Sequence, residues 1–414
     1  MCIRDRIGSN IKENLEKSIA KQIEGKCIAE GYIRQGSTEI VTFSSGLLKD
    51  SYVNFEIIIQ CMICCPVEGM LIDCEIKNIT KAGLRAETKE DISPVVIEAN
   101  EVGHGASGRN NGLVIPTLSK ADPEEIIRIF GQEKGEQTIA LIRDSAGLVF
   151  NLIRKHNMEK AGEQTGWIQP AHSPGRMKLI EKRVTEWSKR GLKADLLDKE
   201  QLEGLVGSSA GFGGWKAHDV GTIHTMAYVR GMAKAVVNLG ARIFTNSPAI
   251  SLTRDDNGWL IRTKNGSVKA NRVILATNAY TDDLWPKLRR TIIPVKTWQM
   301  ATKPLSDNIR KAILPGRHGL SDTRGDLEFA RYDWDGRLVS GASLIFDINS
   351  ENRLRAHVGK RLQKNFPQLG QVEWEFIWSG FLSMTTDYLP RLHVLAPGVF
   401  TWLHHLPPLT RSVA

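Results

Sequence analysis

Apolar residues recur at helical spacing between Glu136 and His156, at Ile139, Ile142, Ala146, Val149 and Ile153, which predicts an amphipathic helix with one buried stripe. Upstream, Asp122-Pro123-Glu124-Glu125 reads as a helix start, with Asp122 as N-cap and Pro123 in the first helical position. Tyr228 to Leu239 repeats the helical spacing, and Gly240 ends it. Elsewhere the pattern shortens to strand-like runs. Pro94-Val95-Val96-Ile97-Glu98 is apolar on both faces, as in a parallel sheet. Ala241 to Phe244, Trp259 to Arg262 and Arg272 to Leu275 follow, with turns at Asp256-Asn257-Gly258 and Asn265-Gly266. Past Pro294 strands dominate, notably Leu327 to Arg331 and Arg337 to Ser340, joined across Asp335-Gly336. Residues 1 to 70 show no repeat and little sustained periodicity. Helices and strands therefore mix along the chain, which predicts an α/β domain with a sheet-rich companion. No linker separates the two, so they are expected to interleave.

Length and composition narrow the class. The chain has 414 residues, enough for about two or three domain-sized units, and its 41% hydrophobic and 24% charged residues are ordinary for a globular protein. The apolar run Ile57 to Cys65 is broken by Gln60 and falls far short of the roughly 20 residues that span a bilayer. No apolar segment follows the basic N-terminal residues Arg4, Arg6 and Lys12, so the expected compartment is the cytoplasm. The net charge of +9 is spread among acidic residues, as in Glu181-Lys182-Arg183. That is a solvated helix face rather than a phosphate-binding stripe, and no nucleic-acid partner is expected. All six cysteines lie within the first 74 residues, whereas every tryptophan lies at or beyond Trp167. The chain thus changes character along its length. Cys61-x-x-Cys64 lacks a second ligand pair and a nearby histidine, so these residues read as thiols rather than a metal site.

The candidate chemistry starts at Glu98. An acidic residue ending a strand of a dinucleotide-binding unit accepts hydrogen bonds from ribose hydroxyls. A glycine-rich loop follows, Gly103-His104-Gly105-Ala106-Ser107-Gly108-Arg109-Asn110-Asn111-Gly112. Its Gly103, Gly105 and Gly108 match G-x-G-x-x-G formally, but Asn110-Asn111-Gly112 and Pro116 intervene before any long helix. A nicotinamide-dependent dehydrogenase using this loop remains an alternative reading.

The segment Val96-Ile97-Glu98-Ala99 with Gly105 to Gly112 resembles the second strand and flavin-facing loop of the FAD-dependent D-amino-acid oxidase superfamily. It is most like the glycine-oxidase and gamma-glutamylputrescine-oxidoreductase branch. The resemblance continues through Gly166-Trp167-Ile168, Gly213-Gly214-Trp215, Gly221-Thr222-Ile223-His224 and Tyr228-Val229-Arg230-Gly231. It runs on through Ala276-Thr277-Asn278-Ala279-Tyr280, Ala301 to Leu305, Trp378-Ser379-Gly380 and Thr386-Asp387-Tyr388-Leu389-Pro390, in that order.

The resemblance implies an FAD-binding Rossmann-like domain (residues 71–160, 218–290 and 378–414) interleaved with a sheet-rich substrate domain (161–217 and 291–377), after an atypical N-terminal segment, 1–70. It implies oxidation of an amine or amino acid by hydride transfer to FAD. Gly83, Glu98, Gly105, Ala106, Ser107, Gly108, Arg109, Asn110, Ala276, Thr277, Gly380 and Asp387 would contact the cofactor. Arg331 would read a substrate carboxylate, with His224 and Trp378 in the pocket. No catalytic side chain is implied, because the flavin carries the redox chemistry.

Both ends depart from the pattern. A glycine fingerprint belongs about 20 residues before Glu98, yet Asn78 and Thr80 occupy the places of its first two glycines, and Gly83 alone fits the third. Gly83-Leu84-Arg85-Ala86 resembles the start of the family's helix. After Pro397-Gly398-Val399 the chain reads Leu403-His404-His405-Leu406-Pro407-Pro408 in place of a glycine-rich loop. These departures suggest a truncated or frame-shifted reading of a gene, and with it a non-catalytic remnant as a further alternative.

Overall fold

The computed structural model describes residues 2–3, 10–28, 31–45, 47–49, 52–64, 74–80, 83–88, 94–118, 121–255, 258–326, 328–343, 349–384 and 391–403. The chain divides into two compact units, Met1–Ile92 and Ser93–Ala414.

The N-terminal unit is built on the helix Ile11–Ile23, capped by Asn10, whose side chain accepts the Glu13 amide. Leu15 and Ile19 are its buried residues and pack against Ile40 and Phe55. Ile40 lies on the strand Glu39–Phe43, which pairs antiparallel with Ile57–Gln60. The helix is faint in the sequence because its buried stripe is narrow, and Lys12, Glu13, Glu16 and Lys17 solvate the rest. Residues 74–88 correct an expectation. Gly83 does not open a helix: the strand Gly83–Thr88 pairs antiparallel with Cys74–Thr80 in a hairpin, with Gly83 opposite Thr80. The hairpin uses Ile76, Ile79, Thr80 and Thr88, residue types that favour strands.

In the second unit two short parallel ladders carry the Rossmann-like part. Strand β1 (Val95–Ile97) pairs with β2 (Arg242–Phe244). Strand β3 (Val273–Leu275) pairs with Val399–Leu403, which pairs antiparallel with Arg391–Ala396. Among the described residues no strand joins the two ladders. The helix Thr225–Asn238 leads into β2; it starts three residues before and ends one residue before the Tyr228 to Leu239 bounds that its apolar spacing signals.

Strands β4 (Ile293–Thr302), β5 (Phe329–Tyr332), β6 (Leu338–Ser343) and β7 (Trp374–Met384) belong to an eight-stranded sheet. Its order is Ala194–Leu197, Gly214–Ala217, Trp167–Pro170, Gly319–Ser321, β5, β6, β4, β7. All neighbours are antiparallel except Trp167–Pro170 with Gly319–Ser321. The β5–β6 hairpin turns at Asp333, whose carboxylate accepts the amides of Asp335 and Arg337, while Gly336 takes φ +79°.

Alternation assigns the faces of this sheet. Trp298, Met300, Ala330, Tyr332, Leu338 and Ala342 join one core with Leu354, Val358 and Leu362 of the helix Ser350–Asn365. Ala301, Phe329 and Val339 face the other way, where Leu113 of the glycine-rich segment and Trp378 pack on them.

Candidate active site

The glycine-rich loop is held by close approaches that side chains would block. Gly103 takes φ +89°, and a Cβ there would stand 2.7 Å from Met226 Sδ. A Cβ on Gly108 would meet the Gly103 carbonyl oxygen at 2.1 Å. The Thr225 hydroxyl donates to the Gly108 carbonyl at 2.9 Å, fixing the loop to the start of helix Thr225–Asn238. Ala106–Arg109 makes a single helical turn. The formal G-x-G-x-x-G therefore opens no long helix of the kind that seats a pyrophosphate, and nothing here favours the nicotinamide alternative.

Arg109, Trp378 and Gly380 tie the loop to β7. Arg109 Nη1 donates to the Ser379 carbonyl at 3.0 Å, and its Nε donates to the His104 carbonyl. Trp378 Nε1 donates to the Arg109 carbonyl at 2.9 Å. A Cβ on Gly380 would lie 3.2 Å from Arg109 Cβ and 3.3 Å from the Tyr280 hydroxyl oxygen. That hydroxyl accepts the Phe381 amide at 3.1 Å. Three segments expected at the cofactor (the loop, the stretch after β3 and the Trp378–Gly380 stretch) thus converge. Two side chains serve the protein itself. The Arg109 guanidinium is drawn onto carbonyls, and the Asn110 amide spans Ala106, Ser107 and Gly112 to close the turn.

The remaining expected residues are spread more widely. Glu98 ends β1, half-buried, and its carboxylate accepts the Asn100 amide at 2.9 Å. Ala276 and Thr277 follow β3 and are exposed; the Thr277 hydroxyl pairs with that of Thr281 at 2.7 Å. Asp387 lies outside the described residues. Gly83 sits in the N-terminal unit's hairpin.

Arg331 is the buried charge of the site. It is 5% exposed on β5, and its hydrogen bonds run to the carbonyls of Asn111 and Tyr332. Among the described residues no carboxylate forms an ion pair with it. Burial pulls its pKa down to about 10, and the more distant Asp333 and Glu163 offset only part of that effect. His224 caps helix Thr225–Asn238, its Nδ1 accepting the Ala227 amide at 3.2 Å. Partial desolvation and then the charge of Arg331 push its pKa below the ordinary histidine value. Trp378 lies on the same sheet face as Arg331.

Sequence reading missed Gln299 on β4. It is 7% exposed, pairs across the sheet with Gly341 and Trp378, and among the described residues its Oε1 has no hydrogen-bond partner. Its one sequence signal is a polar residue between Trp298 and Met300 inside an apolar strand. A cleft lined by His172, Leu202, Asp322, Arg324 and Phe366 opens instead among residues of the opposite core and contains none of the expected site residues.

Tested against FAD, the fit is divided. The loop leaves room at Gly105, where a Cβ would meet nothing closer than Tyr280 at 3.7 Å, whereas the Cβ positions of Gly108 and Gly380 are filled by Gly103, Met226 and Arg109 of the protein itself. The pyrophosphate end does not fit. In a dinucleotide fold the strand that precedes the fingerprint lies beside the acid-ending strand. Here, among the described residues, β1 pairs with β2 alone, Val96 is 43% exposed, and Cys74–Thr80 and Gly83–Thr88 pair as antiparallel strands instead of forming strand, glycine turn and helix.

Comparisons with known proteins identify the family. The family profile described as FAD-dependent oxidoreductase (DAO) matches residues 83–412. A probable oxidoreductase, OrdL, of Haemophilus influenzae is 30% identical over 74% of this chain and 71% of its own length. Gamma-glutamylputrescine oxidoreductase of Escherichia coli is 26% identical over 74% of this chain and 72% of its own. The crystal structure of glycine oxidase from Geobacillus kaustophilus superposes with a TM-score of 0.61 at 20% identity, covering 76% of this chain and 82% of that one. A further match of 82 residues, 19% of this chain, is 32% identical to DNA-directed RNA polymerase II subunit 7 of Arabidopsis thaliana and covers 47% of it. With four-fifths of its length inside one profile, the chain belongs to the FAD-dependent oxidoreductase family.

Proposed function

We propose that the second unit serves the oxidation of a substrate carrying both an amine and a carboxylate, with Arg331 as the carboxylate reader. The observation that carries this is a buried guanidinium with no carboxylate partner among the described residues, beneath the glycine-rich loop. A buried charge of this kind is costly unless something pairs with it. The planar fork of arginine matches a carboxylate in two hydrogen bonds. FAD, when bound, supplies the redox chemistry by taking a hydride from the carbon that bears the amine. The chain's own residues bind and orient. Gly105, Ala106, Ser107, Gly108 and Gly380 present backbone to the cofactor, Glu98 reaches the ribose, and Trp378 and His224 border the substrate. The amine half of the reading follows the relatives, one a gamma-glutamylputrescine oxidoreductase and one, by fold, a glycine oxidase.

The test is Arg331→Lys, which keeps the charge and removes the fork. Affinity for amino acids is expected to fall at least tenfold while the melting temperature holds. Unchanged affinity removes Arg331 from the role.

The N-terminal unit supports a separate reading. The family profile occupies residues 83–412, so most of Met1–Ile92 lies outside it, and we read that unit as a module of different descent. The cysteine and tryptophan partition follows the same boundary. Independent unfolding of the two units is the expected result, and a single shared transition is the contrary one.

A further inference from the structure

Gln299 and Arg331 lie on the same face of the eight-stranded sheet. Arg331 is registered against Val339, Val339 against Ala301, and Gln299, two residues before Ala301 on β4, against Gly341 and Trp378. Side chains two apart on a strand share a face. This face packs on Leu113 of the glycine-rich segment. The Gln299 oxygen lies over bare backbone, since a Cβ on Gly341 would stand 3.0 Å from it. Buried polar groups almost always find a partner, and those that do not call for a functional explanation. Here the same face carries one such group beside a buried charge of opposite character. Among the described residues, Arg331 is a charged donor bonded to main-chain carbonyls but to no carboxylate, and Gln299 Oε1 is an acceptor without a donor.

We infer that Gln299 is the specificity residue for the substrate's amine, its side-chain carbonyl accepting an amine N–H while Arg331 takes the carboxylate. The inference rests on the carboxylate reading above and extends it to the other end of the same molecule. The two residues are separated by one intervening strand, β6, and are offset by two residues along the strand direction. That places their Cα atoms about 12 Å apart, from strand spacings of roughly 4.8 Å and a rise of about 3.3 Å per residue. Less the reach of both side chains, the gap suits a short zwitterion whose two ends are a few bonds apart. A neutral amide accepts a hydrogen bond without removing a proton. It therefore orients either amine form and leaves the choice between them to the pH of the medium.

The experiment is calorimetric titration of the full chain with glycine, β-alanine and 4-aminobutyrate, each beside its des-amino acid (acetate, propionate and butyrate). The parent is expected to bind at least one amino acid tenfold or more tightly than its des-amino partner. Gln299→Leu should abolish that preference while leaving the affinity for the des-amino acids intact, and Gln299→Glu should restore it. Gln299→Leu should also melt no lower than the parent, because it removes a buried unsatisfied oxygen; a merely structural glutamine would lose stability instead. Arg331→Lys should weaken amino acids and des-amino acids alike and keep their ratio. A preference that survives in Gln299→Leu, or is absent from the parent, overturns the role of Gln299 and leaves that of Arg331 standing. Carboxylate binding unchanged in Arg331→Lys overturns the carboxylate reading and this inference together.

Discussion

Gly112 and Arg331 occupy one space: a Cβ on Gly112 would stand 2.8 Å from Arg331 Nε and 2.3 Å from the Ile223 carbonyl oxygen. Gly112 also takes φ +76°, a conformation side chains resist. Gly112→Ala is therefore expected to displace the guanidinium and cost about 1–3 kcal/mol of stability. Denaturant titration followed by tryptophan fluorescence reads it, and a loss below about 0.5 kcal/mol is the contrary result.

Replacing Arg331 with Met separates binding from folding. The substitution removes a desolvated charge whose pKa is pulled down to about 10, but it also takes one donor from each of the Asn111 and Tyr332 carbonyls. These effects oppose each other, and exchanging a buried charge for an apolar side chain is often neutral. The variant is expected to melt within a few degrees of the parent and to lose carboxylate binding at least tenfold. A large drop in melting temperature would make Arg331 a structural residue.

His224 supplies an acid dependence. Its pKa in the folded chain lies below the ordinary 6.5, through desolvation and then Arg331. The unfolded chain therefore takes up the proton first, so this residue's contribution is complete above about pH 6.5 and is lost as pH falls from there through the lower folded value. His172 and His318, also depressed chiefly by desolvation, act in the same direction. His224→Asn keeps a good helix cap without a titrating ring. Stability measured from pH 7.5 to 5 should fall less steeply in that variant than in the parent. In Arg331→Met, the His224 resonance should titrate at higher pH.

FAD should bind this chain weakly. The loop leaves room at Gly105, but Cys74–Thr80 and Gly83–Thr88 pair as antiparallel strands where a pyrophosphate-seating glycine turn and helix belong. Replacing residues 74–88 with a strand, a G-x-G-x-x-G turn and a helix start should raise the flavin retained per protein after gel filtration. Stoichiometric FAD on the unmodified chain would show that the converging glycines hold the cofactor without that seat.

The two units offer a measurement that needs no substitution. Every tryptophan lies in Ser93–Ala414, so tryptophan fluorescence follows that unit alone, whereas far-ultraviolet circular dichroism follows both. Units that fold independently should give transitions that do not coincide. Superimposable curves would mean that the chain unfolds as one cooperative body.

By itself the sequence determined the family and the local elements that periodicity and turn chemistry specify. The helix from Gln132 to Lys155, the strand Val95–Ile97 and the β5–β6 hairpin were all legible, because spacing of 3.6 or 2 and an Asp-Gly turn are local properties. The glycine-rich loop and Trp378–Gly380 were legible as motifs, though not as neighbours. The N-terminal helix was hard to see, because two buried residues make a weak stripe. Gly83 was misread because its flanking residues match a helix start locally, whereas pairing with Cys74–Thr80 makes it a strand. Only the tertiary structure showed that Arg331 lacks a carboxylate partner among the described residues and that Gln299 shares its face, the latter through register across three strands. Register sets which side chains meet, and no local spacing encodes it when the partners lie dozens of residues apart.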